Sequence, residues 1–165
     1  MTGVQFPGVQ IGPAGPDDMD LVRAIFREYA GWLQVDYCLQ DFEAELAGLP
    51  GDYAPPGGGL WLAWVDGEPA GCVGYRPLAP QICEMKRLWV REGYRGRRLG
   101  RRLAETALHA ARAAGYKQMS LETLGFMAEA RRLYASLGFA ETSRTGNPED
   151  DVRLLERDLT APVTA

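Results

Sequence analysis

The stretch of this chain with the most chemistry in it is Leu88-Trp89-Val90-Arg91-Glu92-Gly93-Tyr94-Arg95-Gly96-Arg97-Arg98-Leu99-Gly100-Arg101-Arg102-Leu103. An apolar run ends, a short polar segment follows, and a helical pattern opens with arginines in its first turn. The first N–H groups of a helix lack intrahelical acceptors and carry the positive end of its dipole, so a helix start of this kind binds phosphate readily. Gly96 and Gly100 let a ligand approach the backbone, while Arg95, Arg97, Arg98 and Arg101 add charge-assisted hydrogen bonds. A solvated helix face, with the glycines shaping a turn, is the alternative reading of the same residues. A P-loop is excluded because no Gly-Lys-Ser/Thr ending is present, and Gly-x-Gly-x-x-Gly is missing too.

Glu84 is the second candidate. With Lys86 and Arg87 it interrupts what reads as a central strand, an expensive place for charge unless the strand lines a cleft. Strict alternation puts Glu84 on the pleat face of Leu88 and Val90. A carboxylate there is suited to taking a proton; an ion pair with Lys86 or a neighbouring strand is the alternative. Tyr134 shares a helical stripe with Ala130 and Leu137 and, on spacing alone, suits a core position. Glu28, Tyr29, Trp32, Asp36 and Tyr37 combine carboxylates with aromatics, a set that suits a cationic amine. The Pro55 to Gly59 loop suits a wall or lid. His109 sits deep in a helix, away from the phosphate-binding segment. Cys38, Cys72 and Cys83 are odd in number and in no metal-ligand spacing, and one histidine leaves little for a zinc site, so no metal is expected.

These residues need a scaffold, and the patterning supplies one. After a short strand at Val9 and Ile11, Asp17 and Asp18 can cap a helix carrying Leu21, Ile25, Phe26 and Tyr29. A second short helix is expected from Gln40 to Leu49. Leu60–Val65 and Ala70–Tyr75 read as strands joined at Asp66-Gly67, and Ile82–Arg91 as a third. The run from Arg98 to Gly115 is helical, Lys117–Thr123 is a strand, and Phe126 to Gly138 is helical again. Phe139–Ser143 and Val152–Leu159 close the chain, divided by Gly146-Asn147-Pro148. The order predicts an α/β (α+β) single domain over 1–165: a mixed, mostly antiparallel sheet of six to seven strands flanked by about four helices.

The chain of 165 residues is 46% apolar and 24% charged, the composition of an ordinary globular domain rather than a disordered or fibrous chain. No apolar run is long enough for a membrane span, and the N-terminus lacks a signal-peptide pattern, so a cytoplasmic location with reduced thiols is expected. From Lys86 to Arg112, nine Lys/Arg face two Glu, a net of +7 within a chain of net −4; the remainder is therefore −11. A concentrated basic segment in an acidic chain suits a compact anionic ligand and a cationic second partner. It argues against a long polyanion such as nucleic acid.

Arg95-Gly96-Arg97-Arg98-Leu99-Gly100, following Leu88-Trp89-Val90, resembles the acyl-CoA motif Arg/Gln-x-x-Gly-x-Gly/Ala of the GCN5-related N-acetyltransferases (GNAT). Ala130-Arg131-Arg132-Leu133-Tyr134-Ala135-Ser136-Leu137-Gly138-Phe139 is similar to that family's later helix, which carries a tyrosine and ends in Leu-Gly-Phe. The resemblance covers roughly residues 60–158, with 17–59 left as acceptor-binding helices and loop. It departs from the family pattern at Arg98, where the motif has a glycine, and at Met127, where many relatives have asparagine. The resemblance implies acetyl-CoA as co-substrate, no metal, an amine acceptor and an N-acetyltransferase reaction, with a homodimer left open. It implies pantetheine contacts from Leu88, Trp89 and Val90, pyrophosphate contacts from Arg95 to Arg101, and a thiolate partner in Tyr134. Glu84 is the expected base, and Glu28, Tyr29, Trp32 and Asp36 the expected acceptor contacts. The two departures keep a non-catalytic acyl-CoA-binding protein as the alternative.

Overall fold

A computed structural model describes residues 8–33, 41–145 and 151–161. The chain runs β1 (Val9–Pro13), α1 (Met19–Leu33), α2 (Phe42–Ala47), β2 (Gly59–Val65), β3 (Glu68–Ala79), β4 (Ile82–Val90), α3 (Leu99–Ala113), β5 (Gln118–Leu124), α4 (Ala128–Ser136), β6 (Ala140–Thr145) and β7 (Val152–Asp158), with one-turn 3-10 helices at Pro16–Asp18 and Gly51–Tyr53. The strands form one seven-stranded sheet in the order β1-β2-β3-β4-β5-β7-β6, antiparallel throughout except for β4 with β5. This is the mixed, mostly antiparallel sheet with four helices that the patterning predicts. The start of the second predicted helix at Gln40 and the Gly146-Asn147-Pro148 turn lie outside the described residues.

Local signals account for most element boundaries. The Asp18 carboxylate accepts the Gly15 N–H at 2.8 Å and fixes the entry to α1. Asp66 and Gly67 both take positive φ, the conformation of the tight hairpin turn between β2 and β3. α3 and α4 each stop where a glycine, Gly115 or Gly138, turns left-handed; the next N–H then reaches back to Ala111 or Tyr134 at 3.1 and 3.0 Å. β3 outruns its predicted length because Pro77 is accommodated near the strand end, beside a register irregularity.

Each face of the sheet buries its own apolar layer. α3 covers one face through Leu99, Leu103, Ala107, Leu108 and Ala111, against Val73, Met85, Met119 and Leu121. α1 and α2 cover part of the other, where Val22, Ile25, Phe26 and Leu46 meet Leu60, Leu62, Cys72 and Trp89.

β4 is the irregular strand. Cys72 pairs with Trp89 but Gly74 with Lys86, so β4 carries one residue more than β3 across that interval. Arg87 sits at this bulge with φ +63°, and its carbonyl oxygen accepts the Cys72 thiol at 3.2 Å. Its side chain, 3% exposed, forms a fork with Glu45 of α2 at 2.9 and 3.1 Å and lies over the Phe42 ring. The extra residue corrects the simple alternation. Glu84 does not share a face with Leu88 and Val90; those two join Cys83 and Met85 on the α3 side, while Glu84 lies opposite, near Arg76.

Candidate active site

The parallel ladder between β4 and β5 is short. It holds only for Ile82–Glu84 against Gln118–Ser120, although β4 runs on to Val90 and β5 to Leu124. Past Glu84 the strands part, and the β4 backbone facing β5 has no strand partner. A cleft of about 730 Å³ fills the gap, with Leu88, Trp89 and Val90 along one wall and Leu121, Glu122, Thr123 and α4 along the other.

The start of α3 closes one end of this cleft through Arg95, Gly96, Arg98, Leu99, Gly100 and Arg101; Arg97 is exposed and does not line it. Arg98 has φ +57°, a left-handed conformation that glycine adopts without strain and arginine does not. The chain therefore keeps the backbone a glycine would give and adds a cation. A Cβ built on Gly100 would meet nothing nearer than Leu133 Cδ2 at 3.6 Å, so core packing does not require glycine there. The space beside Gly100 and the unpaired N–H groups of the first turn fit a phosphate group. Arg95 stacks on Trp89 at 4.7 Å and donates to the Val90 carbonyl at 3.2 Å, while Arg101 is tied to Ser136 and Glu105.

Tyr134 lines the cleft at 8% exposure, its ring edge-on to Phe139, and burial pushes its hydroxyl pKa up, so it is protonated at neutral pH. Met127, before α4, accepts the Thr123 hydroxyl on its sulfur at 3.5 Å.

Glu84 also lines the cleft, is buried, and pairs with Arg76 Nε at 3.3 Å, the neighbouring-strand ion pair that was its alternative. Since Glu84 pairs with Ser120, Glu122 falls two residues further along β5 on the same face. Solvent reaches Glu122, yet packing around the carboxyl, and then the charge of Glu84, hold its pKa above the ordinary carboxylate range. Sequence reasoning missed Glu122. The polar alternation Gln118, Ser120, Glu122 was the available signal, and the neighbour of β5 was not.

The expected acceptor residues divide. Tyr29 and Trp32 line the cleft, and Trp32 packs against Trp89 at 5.2 Å and Phe126 at 6.1 Å. Glu28 does not reach it: its carboxylate accepts the Trp89 indole N–H at 3.2 Å and faces Arg91 at 3.2 Å, which positions Trp89. Asp36 and Tyr37 lie outside the described residues. His109 is exposed on α3. Among the described residues no group of three or more His, Cys, Asp or Glu is placed to hold a metal ion, and no helix is long and apolar enough to cross a membrane.

The sequence profile of the Acetyltransferase (GNAT) family matches residues 20–139, most of the chain. The chain belongs to the GNAT family. An uncharacterised N-acetyltransferase of Schizosaccharomyces pombe is 37% identical over 129 residues, 77% of this chain and 79% of its own. One from Escherichia coli K12, YjgM, is 32% identical over 142 residues, covering 82% and 84%. Among solved structures, the PaiA N-acetyltransferase of Thermoplasma acidophilum in complex with coenzyme A superposes with a TM-score of 0.73 at 17% identity, over 91% of this chain and 98% of its own. YncA of Salmonella typhimurium with acetyl-CoA gives 0.69 at 21%, over 96% and 99%. At these identities the two structures show a common fold. The named relatives set the enzyme class of this GNAT protein: it is an N-acetyltransferase.

Proposed function

We propose that the protein moves an acetyl group from acetyl-CoA to a primary amine of a small molecule or peptide, by direct attack in a ternary complex. The observation that carries this reading is the parting of β4 from β5 after Glu84, which makes one cleft with a phosphate-suited helix start at one end and carboxylates at the other. The α3 first turn and Arg95, Arg98 and Arg101 would hold the pyrophosphate. The unpaired β4 backbone at Leu88–Val90 would align the pantetheine arm, and its N–H groups would polarise the thioester carbonyl. The amine's proton passes to Glu122, or to Glu84 if Arg76 releases it, as the N–C bond forms and the C–S bond breaks. The departing thiolate takes a hydrogen bond or a proton from Tyr134, whose buried hydroxyl is in the donating state.

The buried free thiols of Cys72 and Cys83 suit a reducing, cytoplasmic setting. What favours turnover over acyl-CoA binding alone is that the Tyr134 hydroxyl and the carboxylates of Glu84 and Glu122 line the same cleft as the phosphate-suited helix start. Incubation with acetyl-CoA and a panel of amines, with detection of free thiol, tests the proposal. Acceptor-dependent thiol release is expected. Tight acetyl-CoA binding without release from any amine would leave a binding protein instead.

A further inference from the structure

A second chamber joins the cleft. On the face of the sheet carrying Glu84, a cavity of about 600 Å³ opens between α2, the turn at Gly51–Tyr53 and the end of β3. Glu84, Lys86 and Glu122 line both spaces, so a molecule in the second chamber reaches the first through them.

Two charged side chains lining this chamber make no ion pair among the described residues, and a third polar group, the Tyr53 hydroxyl, makes no well-formed hydrogen bond there. Lys86 is half-buried and forms no hydrogen bond or ion pair, because Arg87 occupies Glu45 and Arg76 takes Glu84. Burial, followed by the charge of Arg87, pushes the Lys86 pKa down, against the smaller opposing effect of Glu84 and Glu45. Glu122 is likewise without an ion pair, and its pKa is pushed up. The Tyr53 hydroxyl, on a residue 2% exposed, has no partner in hydrogen-bonding geometry, although Glu45 is close enough to help raise its pKa. A buried polar atom of this kind is rare in a finished core.

The placement of the two charges is specific. Glu84 pairs with Ser120, and Lys86 and Glu122 each lie two residues beyond that pair on the same face. They flank the point where the strands part, one cation and one carboxylate, near enough for the Lys86 charge to act on Glu122 but with neither in an ion pair among the described residues. A ligand bearing an ammonium and a carboxylate on one carbon satisfies both. An amine alone would leave Lys86 unpaired and add a second cation beside it.

We infer that the acceptor is a free α-amino acid, its amino group toward Glu122, its carboxylate on Lys86 and its side chain toward Tyr53. The inference rests on the acetyl-transfer reading above and adds the class of acceptor.

The test uses the full-length protein, acetyl-CoA and thiol detection with six L-amino acids, the carboxamide of each and the decarboxylated amine of each. The free amino acids are expected to exceed their partners by tenfold to a hundredfold in kcat/KM, the range of a charge-assisted hydrogen bond. Lys86→Met should bring that ratio close to one and Lys86→Arg should keep it, with acetyl-CoA affinity by calorimetry reporting an intact donor site. If wild-type protein uses the amines or carboxamides as well as the free acids, or Lys86→Met keeps the preference, this inference fails and acetyl transfer stands. If no acceptor releases thiol, the transfer reading fails and takes the inference with it.

Discussion

Glu84 and Glu122 face the same space in different circumstances. Arg76 holds Glu84 at 3.3 Å, whereas Glu122 has no ion partner among the described residues and a pKa raised by its packing and by Glu84. A base must be unprotonated to act, and a raised pKa means that form is lost at a higher pH than usual as the solution is acidified. The acidic limb of kcat should therefore lie above 4.5, the ordinary glutamate value. Glu122→Gln should remove that limb and lower kcat about a hundredfold, within the usual range for acid–base groups, with acetyl-CoA affinity kept. A full-rate Glu122→Gln variant, with the limb lost instead in Glu84→Gln, would return the role to Glu84. Tyr134→Phe keeps the ring against Phe139 and removes only the hydroxyl, so a loss of about tenfold in kcat at an unchanged melting temperature is expected. Full turnover with a lowered melting temperature would make Tyr134 a packing residue. The position of Tyr134 in the cleft was legible because its helix ends in a recognisable Leu-Gly-Phe. Glu122 was not, because its meaning comes from a strand neighbour 38 positions earlier in the chain.

Two elements show where local pattern suffices and where it fails. The start of α3 was readable because glycines, arginines and helical periodicity all lie within one short stretch, and the cleft wall follows from them. The backbone at Arg98 shows what the departure from the motif costs. A left-handed non-glycine residue costs roughly 1–2 kcal/mol, of which glycine's greater freedom in the unfolded chain takes back about 0.4–1. Arg98→Gly should therefore raise stability by about 0.5–1 kcal/mol in denaturant unfolding, while weakening acetyl-CoA binding through the lost cation. A destabilised variant would mean that the arginine side chain holds the loop. The β4 bulge was illegible for the opposite reason. Nothing in Lys86-Arg87-Leu88 marks an added residue, and alternation through it puts Leu88 and Val90 on the wrong face. The anchor is Glu45, 42 residues away on α2, and only the folded chain brings that carboxylate to the buried Arg87 guanidinium.

At the scale of the molecule, the basic segment is an electrostatic feature with a readable consequence. The chain carries −4 overall, yet its +7 stretch includes the start of α3 at one end of the cleft. A ligand that binds only the folded state stabilises it by RT ln(1 + [L]/Kd), about 2.7 kcal/mol at a hundredfold excess over Kd. For a chain of this length each kcal/mol moves the melting temperature by roughly 2–4 °C, so acetyl-CoA at that excess should raise it by about 5–10 °C. The phosphates distinguish the helix start from the rest of the cleft. S-acetylpantetheine, which lacks them, keeps the thioester and the arm along β4 but has nothing to offer Arg95, Arg98 or the α3 first turn. At equal concentration its shift should be much smaller and nearly independent of salt. The acetyl-CoA shift should shrink as salt rises from 0.01 to 1 M, because screening over that range shortens from about 30 to 3 Å. Equal shifts from the two ligands at every salt concentration would take the phosphates away from the helix start and leave the basic segment as a solvated face.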